Sequence, residues 1–227
     1  MITAVAFDLD DTLYDEVEYC KSGFAAAAQF LVNLPDMPAA GRIFDAFRKQ
    51  FTAGNRTKTF NAGLDQLGIR YDDKLIEKLV EVYRNHRPKI KLPQDSRDVL
   101  RQLSGKWTLA LLTDGFLPAQ KLKVKSLRIE RYFKCIIYTE ELGRQFWKPS
   151  PAGFEKLMET LKAKSENIAY VADNPMKDFI APNKLGFSTI QIIRPACINM
   201  ESCDQAGAAA QYVIHEFTQL PALLERL

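Results

Sequence analysis

Three carboxylates fall within four residues near the amino terminus, in Phe7-Asp8-Leu9-Asp10-Asp11-Thr12-Leu13, directly after a short apolar run. Like charges this close repel one another unless something neutralises them. Two readings compete: a solvated acidic turn that caps a helix, and a site for Mg2+, a hard cation that takes carboxylate and carbonyl oxygens. Position favours the metal. Residues 3–7 read as a buried strand, and ligands of open α/β sheets bind beyond the carboxyl ends of strands.

Three more segments have a similar form. Leu111-Leu112-Thr113-Asp114-Gly115 ends an apolar run in a hydroxyl closely followed by glycine, a pairing able to offer Oγ and backbone N–H groups to a phosphate oxygen. Trp147-Lys148-Pro149 pins a lysine beside a proline. A fixed ammonium there could offset phosphoryl charge and hold a neighbouring carboxylate ionised. Tyr170-Val171-Ala172-Asp173 again leads a strand into an acidic residue, and Asp178 follows five positions later. Asp173 is expected to complete the metal ligands, and Asp178 to touch the metal, orient Lys148 or hold a metal-bound water. Each segment taken singly has a plain structural alternative: a turn threonine, a surface lysine, a helix N-cap.

These residues need a scaffold, and the apolar runs supply one. Beside residues 3–7, runs at 108–112, 135–138, 167–172 and 188–193 alternate with segments of helical apolar spacing, which predicts a doubly wound, Rossmann-like α/β fold around a parallel sheet. Residues 16–91 break the rhythm. Phe24, Ala27, Ala28 and Leu31, then Ile43, Phe44 and Phe47, then Leu75, Ile76, Leu79, Val80 and Tyr83 recur at helical spacing with no strand between them. The division expected is a core of residues 1–15 and 92–227 with an inserted α-helical cap of residues 16–91. Pro88 and Pro93 mark the return to the core, and the alanines at 208–210 fit a helix or a loop.

Composition narrows the partners. Hydrophobic residues make up 47% and charged residues 26% of the 227, the balance of an ordinary globular protein. A formal charge of +3, from 31 basic and 28 acidic side chains, argues neither for nucleic acid nor for an anionic membrane. Cys20, Cys135, Cys197 and Cys203 show no CxxC spacing and read as free thiols of a reducing compartment. With no signal-like start and no membrane span, a cytoplasmic location is expected. Oligomeric state is not encoded in any pattern here.

In order and separation, Asp8-x-Asp10-x-Thr12, Thr113, Lys148-Pro149 and Asp173-x-x-x-x-Asp178 resemble the four motifs of the haloacid dehalogenase superfamily. The resemblance covers essentially the whole chain, and the helical insertion looks like that superfamily's cap. It implies that the strands ending at Asp8, Thr113 and Asp173 are neighbours, and that the chain is a Mg2+-dependent hydrolase of small phosphorylated metabolites. Asp8 would be the nucleophile, forming an aspartyl-phosphate, and Asp10 the general acid and base. Asp8, the backbone carbonyl of Asp10 and Asp173 would hold the metal. Thr113 and Lys148 would stabilise charge, and Asp114 and Gly115 would line the phosphate. A carboxylate at Asp10 favours phosphoryl transfer over dehalogenation, because a halide leaving group needs no proton.

Two positions depart from the superfamily's pattern. Ala172 replaces a common glycine, and Asp114 a common asparagine, which brings a repulsive charge unless its side chain turns away. Thr12 is expected to fix the loop. Lys21, Arg56 and Lys58 are candidate substrate contacts in the cap. Lys121, Lys123 and Lys125 are expected to decorate a surface helix, and neither His86 nor His215 is assigned a catalytic role. A phosphomutase on the same framework is the rival enzyme, and a receiver-like phospho-aspartate module the rival of another class, although a receiver needs only about half this length and no cap.

Overall fold

The computed structural model describes residues 1–195, 205 and 207–227, so Cys197 and Cys203 lie outside the described residues. The chain divides into two compact units: Met1–Val17 with Lys91–Leu227, and Glu18–Ile90. Among the described residues the helices are, in chain order, α1 (Glu16–Leu31), α2 (Ala40–Thr52), α3 (Thr59–Leu67), α4 (Asp73–Asn85), α5 (Gln94–Ser104), α6 (Ala119–Leu127), α7 (Ala152–Leu161), α8 (Ile180–Leu185) and α9 (Leu220–Leu224). None is long and apolar enough to cross a membrane.

The first unit holds a six-stranded sheet, β1 (Ala4–Phe7), β2 (Thr108–Thr113), β3 (Cys135–Tyr138), β4 (Ile168–Ala172), β5 (Ser188–Ile192) and β6 (Tyr212–Ile214). Spatially the order is β3-β2-β1-β4-β5-β6, with every pair parallel. Both β1 and β4 are buried along their whole length, as strands covered on both faces must be. Alternate residues serve the two faces. Ala4 and Ala6 pack in one cluster with Phe154 and Leu157 of α7, whereas the ring of Phe7 lies 6.3 Å from that of Phe133 and 6.0 Å from that of Phe217. This is the expected α/β architecture, and the strands ending at Asp8, Thr113 and Asp173 are neighbours.

From β1 the chain winds outward through β2 to β3, then returns to lay β4 on the other side of β1. The winding therefore reverses between β1 and β4. Helices leaving these strands diverge there and open a crevice at the carboxyl ends. One outcome differs from the sequence expectation: β6 has no counterpart among the apolar runs, being three residues with two of them exposed; of the two forms open to residues 208–210, they take the loop.

The second unit is helical and packs around aromatic rings. Phe47 meets Phe60 edge-on at 5.0 Å between centroids, and Phe24 meets Phe60 edge-on at 6.2 Å. Such tilted pairs add attraction beyond the area they bury. Helix α3 approaches closely enough that a Cβ on Gly63 would stand 2.4 Å from the Phe47 ring, which is why a glycine interrupts an otherwise good helix former there. Asp72 caps α4 by accepting from Leu75 N at 2.9 Å.

Candidate active site

Strand β1 delivers Asp8 to the crevice, its N–H still donating to Val171 O at 2.9 Å. The chain then turns sharply. Asp11 takes a positive φ of 53°, and its Oδ1 accepts from Glu16 N at 2.8 Å, satisfying one of the orphan donors at the start of α1. With Leu9 and Leu13 buried beneath, the turn is anchored on apolar contacts, and Thr12 donates to Asp173 Oδ1 at 3.4 Å across the crevice.

Lys148 reaches the same place. Its Nζ lies 2.6 Å from Asp8 Oδ1 and 2.6 Å from Asp178 Oδ1, and it donates to the Tyr170 hydroxyl at 3.0 Å. Asp178 also accepts from Asn174 N at 3.1 Å and from Tyr170 at 3.3 Å. Of the roles weighed for Asp178, the geometry displays the orientation of Lys148. The carboxylates of Asp8, Asp173 and Asp178 offer oxygens all within 4.8 Å of one another.

The electrostatics follow from this crowding. Burial raises the Asp8 carboxyl to about 6 against the pull of Lys148. Burial, with Asp178 and Asp8 adding to it, raises Asp173 to about 8. Burial also works to raise Asp178, but Lys148 and Lys177 overcome it and hold that group below the usual carboxylate range. Lys148 is held well above the ordinary lysine value: burial opposes its charge, and Asp178 and Asp8 more than compensate. The charged forms of Asp8 and Asp173 are thus only partly neutralised by the protein. Their donor set is all oxygen, as Mg2+ requires, so the residues fit a hard divalent ion held by Asp8 and Asp173, with an oxygen of Asp178 in the same group.

A pH effect follows. A carboxyl whose folded value exceeds its unfolded value of 3.8 contributes stability that is full below about 4 and lost as pH climbs through the folded value. Through Asp8, raised to about 6, and Asp173, raised to about 8, the metal-free protein is expected to lose Tm between about pH 4 and pH 8, and Mg2+ to remove most of that loss. Thermal melts in EDTA and in MgCl2 across this range check it, and a gap between the two that fails to widen with pH counts against it.

The second motif closes the other wall. Thr113 ends β2, and its Oγ1 accepts from Gln120 Nε2 at 2.7 Å. Asp114 resolves the concern over its charge by turning away: Oδ1 accepts from Thr139 Oγ1 at 2.7 Å and Oδ2 from Lys148 N at 3.1 Å. Gly115 has φ 134°, and a Cβ there would lie 2.8 Å from the Gln120 side chain, so both conformation and space require glycine.

A cavity of about 250 Å³ is lined by Asp10, Asp114, Gly115, Lys148 and Asp173, joined by Glu16, Trp147 and Lys177. The last three escaped the sequence reading. Lys177 sits inside the fourth motif itself, where its ammonium faces Asp178, Asp8 and Asp114. Lys123 corrects an expectation: it is not surface decoration but a buried side chain, 4% exposed, with Nζ 2.9 and 2.8 Å from the two oxygens of Asp10. Burial acts to raise Asp10, but Lys123, Tyr14 and Gln120 hold it below the usual carboxylate range. The Asp10 side chain is therefore turned to α6 rather than to the acidic cluster. Lys21, Arg56 and Lys58 belong to the second unit. Lys21 pairs with Glu18 at 2.7 Å, Arg56 lies over the Phe51 ring at 5.8 Å, and Lys58 precedes α3 in an exposed position. His86 bonds Tyr83 O and Ser22 Oγ within the same unit.

Known proteins resemble this chain along its whole length. The glyceraldehyde 3-phosphate phosphatase of Methanocaldococcus jannaschii is 26% identical over 234 residues, covering 100% of this chain and 99% of that protein. The N-acylneuraminate-9-phosphatase of Homo sapiens is 21% identical over 241 residues, covering 100% and 95%. Among solved structures, a 2-haloacid dehalogenase from Pseudomonas syringae pv. Tomato DC3000 superposes with a TM-score of 0.68 at 24% identity, covering 100% of this chain and 99% of that one. A HAD-hydrolase from Bacillus subtilis bound to magnesium matches at TM-score 0.68 and 20% identity, covering 98% of each. Residues 2–186, the whole stretch that carries the four strand-end motifs, match the family model described as haloacid dehalogenase-like hydrolase, and the chain belongs to that family.

Proposed function

We propose that this chain is a Mg2+-dependent phosphomonoester hydrolase acting on a small phosphorylated metabolite through an aspartyl-phosphate on Asp8. The observation that carries the reading is the convergence of Asp8, Asp173, Asp178 and Lys148 on one crevice, with the Asp10 carboxylate beside the same cavity. A halide departs without a proton, whereas an alkoxide needs one, so a carboxylate two residues beyond the nucleophile suits phosphate esters. The relatives named as phosphatases of glyceraldehyde 3-phosphate and N-acylneuraminate 9-phosphate agree with that substrate class.

In this mechanism an Asp8 oxygen attacks phosphorus and the bond to the leaving oxygen breaks, which splits one hard displacement into two easier steps. Against its burial, Lys123, Tyr14 and Gln120 hold Asp10 ionised in the free protein, so Asp10 takes up a proton when the anionic substrate binds, gives it to the leaving oxygen, and then takes one from the water that hydrolyses the aspartyl-phosphate. Lys148 keeps Asp8 ionised and, with Thr113 and the backbone at Asp114 and Gly115, stabilises charge on the phosphoryl oxygens. Asp178 holds Lys148 in place. Asp8, the carbonyl of Asp10 and Asp173 would hold magnesium, which when bound screens the phosphate from the attacking carboxylate. By the superfamily resemblance the helical unit would serve as a cap that excludes water and reads the leaving group, with Lys21, Arg56 and Lys58 as candidate contacts.

The test is phosphate release from a broad panel of phosphorylated metabolites, with and without Mg2+, using Asp8→Asn as the blank. Release that needs both the metal and Asp8 is the expected result. Wild-type protein no better than the blank on every compound would overturn the reading. Asp10→Asn keeps the shape but cannot move a proton, so alkyl phosphate turnover is expected to fall by roughly 100- to 10,000-fold with Tm little changed. Near-normal rates in that variant would remove Asp10 from the mechanism.

A further inference from the structure

The carboxylate of Asp10 is gripped from three sides by groups that no motif includes. Tyr14 donates to Oδ1 at 2.5 Å, Gln120 Nε2 to Oδ2 at 3.0 Å, and Lys123 Nζ to both oxygens at 2.9 and 2.8 Å. Gln120 and Lys123 stand three residues apart on α6, one turn of the same face, and that face is otherwise apolar, with Val124 and Leu127 buried beside them. Taking an ammonium out of water costs several kcal/mol unless it is fully paired. With Asp10 part-buried the lysine is its counter-ion, but apolar residues at both positions would pack at less cost, so stability alone gives no reason for the pair.

The arrangement does have a chemical use. A carboxyl that serves a leaving group must aim at the bridging oxygen, away from the proposed metal ligand Asp8 two residues before it. The Gln120 amide nitrogen also donates to Thr113 Oγ1 at 2.7 Å, so a single group spans the acid and the residue assigned to the phosphoryl oxygens. Lys123 extends the link to Glu16 Oε1 at 3.5 Å, at the first residue of α1. We propose that Lys123, with Gln120, is a positioning residue for Asp10, fixing the direction in which that carboxyl meets the leaving group. This assignment rests on the phosphatase reading above and adds to it the residues that orient its acid.

The consequence separates substrates by leaving group. An aryl phosphate such as p-nitrophenyl phosphate expels a stable phenolate and needs little proton transfer, whereas glycerol phosphate expels an alkoxide and needs it fully. For a covalent mechanism kcat/KM covers the steps up to departure of the leaving group and leaves out the later hydrolysis. Lys123→Met is expected to lower kcat/KM for glycerol phosphate by about 100-fold and for p-nitrophenyl phosphate by less than about 5-fold. Gln120→Leu, which leaves no buried charge unpaired, is expected to show the same selectivity at smaller size and serves as the measurement if Lys123→Met does not fold. Equal losses on both esters, or none, in a folded variant overturn the assignment while leaving the phosphatase reading intact. Where wild-type protein does not turn over glycerol phosphate, the best alkyl phosphate of the panel takes its place, and wild-type protein inactive on every compound removes the reading and the assignment together.

Discussion

Asp8→Asn is expected to reduce phosphate release from every substrate by about 10,000-fold or more, while the metal-free protein becomes no less stable, and at pH 8 more stable. The two effects have one origin. The asparagine amide matches the carboxylate in shape but offers no anionic oxygen to attack phosphorus, so the covalent route is closed. Asp8 is also one of three buried carboxylates whose oxygens lie within 4.8 Å of one another, and burial raises it to about 6. At pH 8 the folded protein must hold it charged, beside Asp173 and Asp178. Replacing it with a neutral group removes that repulsion, and Lys148 keeps Asp178 as its partner at 2.6 Å. Opposite movement of activity and stability is the mark of a site whose geometry is kept for chemistry. Phosphate release and thermal melts in EDTA check both halves. A variant that loses activity and also melts well below wild type at pH 8 would make Asp8 a structural residue.

Much of this was legible in the residues because strand ends in a parallel sheet are read locally. A run such as Thr-Ala-Val-Ala-Phe that stops at a carboxylate announces both the strand and the point where its side chains reach solvent. Asp8, Asp173 and Asp178 could be named as a set, and the geometry brings them together. The contacts of Asp114 were harder. Its extra charge was visible, but the partners that absorb it, Thr139 and the Lys148 backbone, lie 25 and 34 residues away. Nothing in the local pattern points to them.

Lys123 was misread for a different reason. Among lysines at 121, 123 and 125, alternate positions look alike in a list, but on a helix they do not share a face. Gln120, Lys123, Val124 and Leu127 follow the i, i+3, i+4, i+7 rule and are all buried, whereas Lys121 pairs with Glu141 in solvent. A lysine inside an apolar stripe was therefore the available signal. Lys177 lies inside the fourth motif between Asp173 and Asp178, whose spacing alone defines that motif, so the pattern does not single it out. Strand β6 escaped because three residues at a sheet edge carry almost no pattern, and its pairing with β5 is decided by the rest of the sheet.

Lys148→Met is expected to damage both rate and fold, and the way it does so tests the electrostatic account as a whole. The lysine is buried with Asp8 and Asp178, all three side chains at most 3% exposed. Deleting one partner of a buried ion pair leaves the other charge stranded, at a cost of about 3–5 kcal/mol, and here two carboxylates are stranded at once. Methionine fills the volume, so the loss is of charge and hydrogen bonds rather than of packing. Magnesium on Asp8 and Asp173 would replace part of the missing positive charge, so the fall in Tm should be larger in EDTA than in MgCl2. Asp178 keeps the ammonium of Lys177 as counter-charge, and neutralising the carboxylate in Lys148→Met/Asp178→Asn is expected to recover part of the stability. The double variant should not recover the rate, which stays about 100- to 1,000-fold below wild type because the phosphoryl oxygens have lost a cation. Recovery of stability without recovery of rate separates the two duties of Lys148. If Asp178→Asn restores neither, the buried pair is not what Lys148 contributes to the fold.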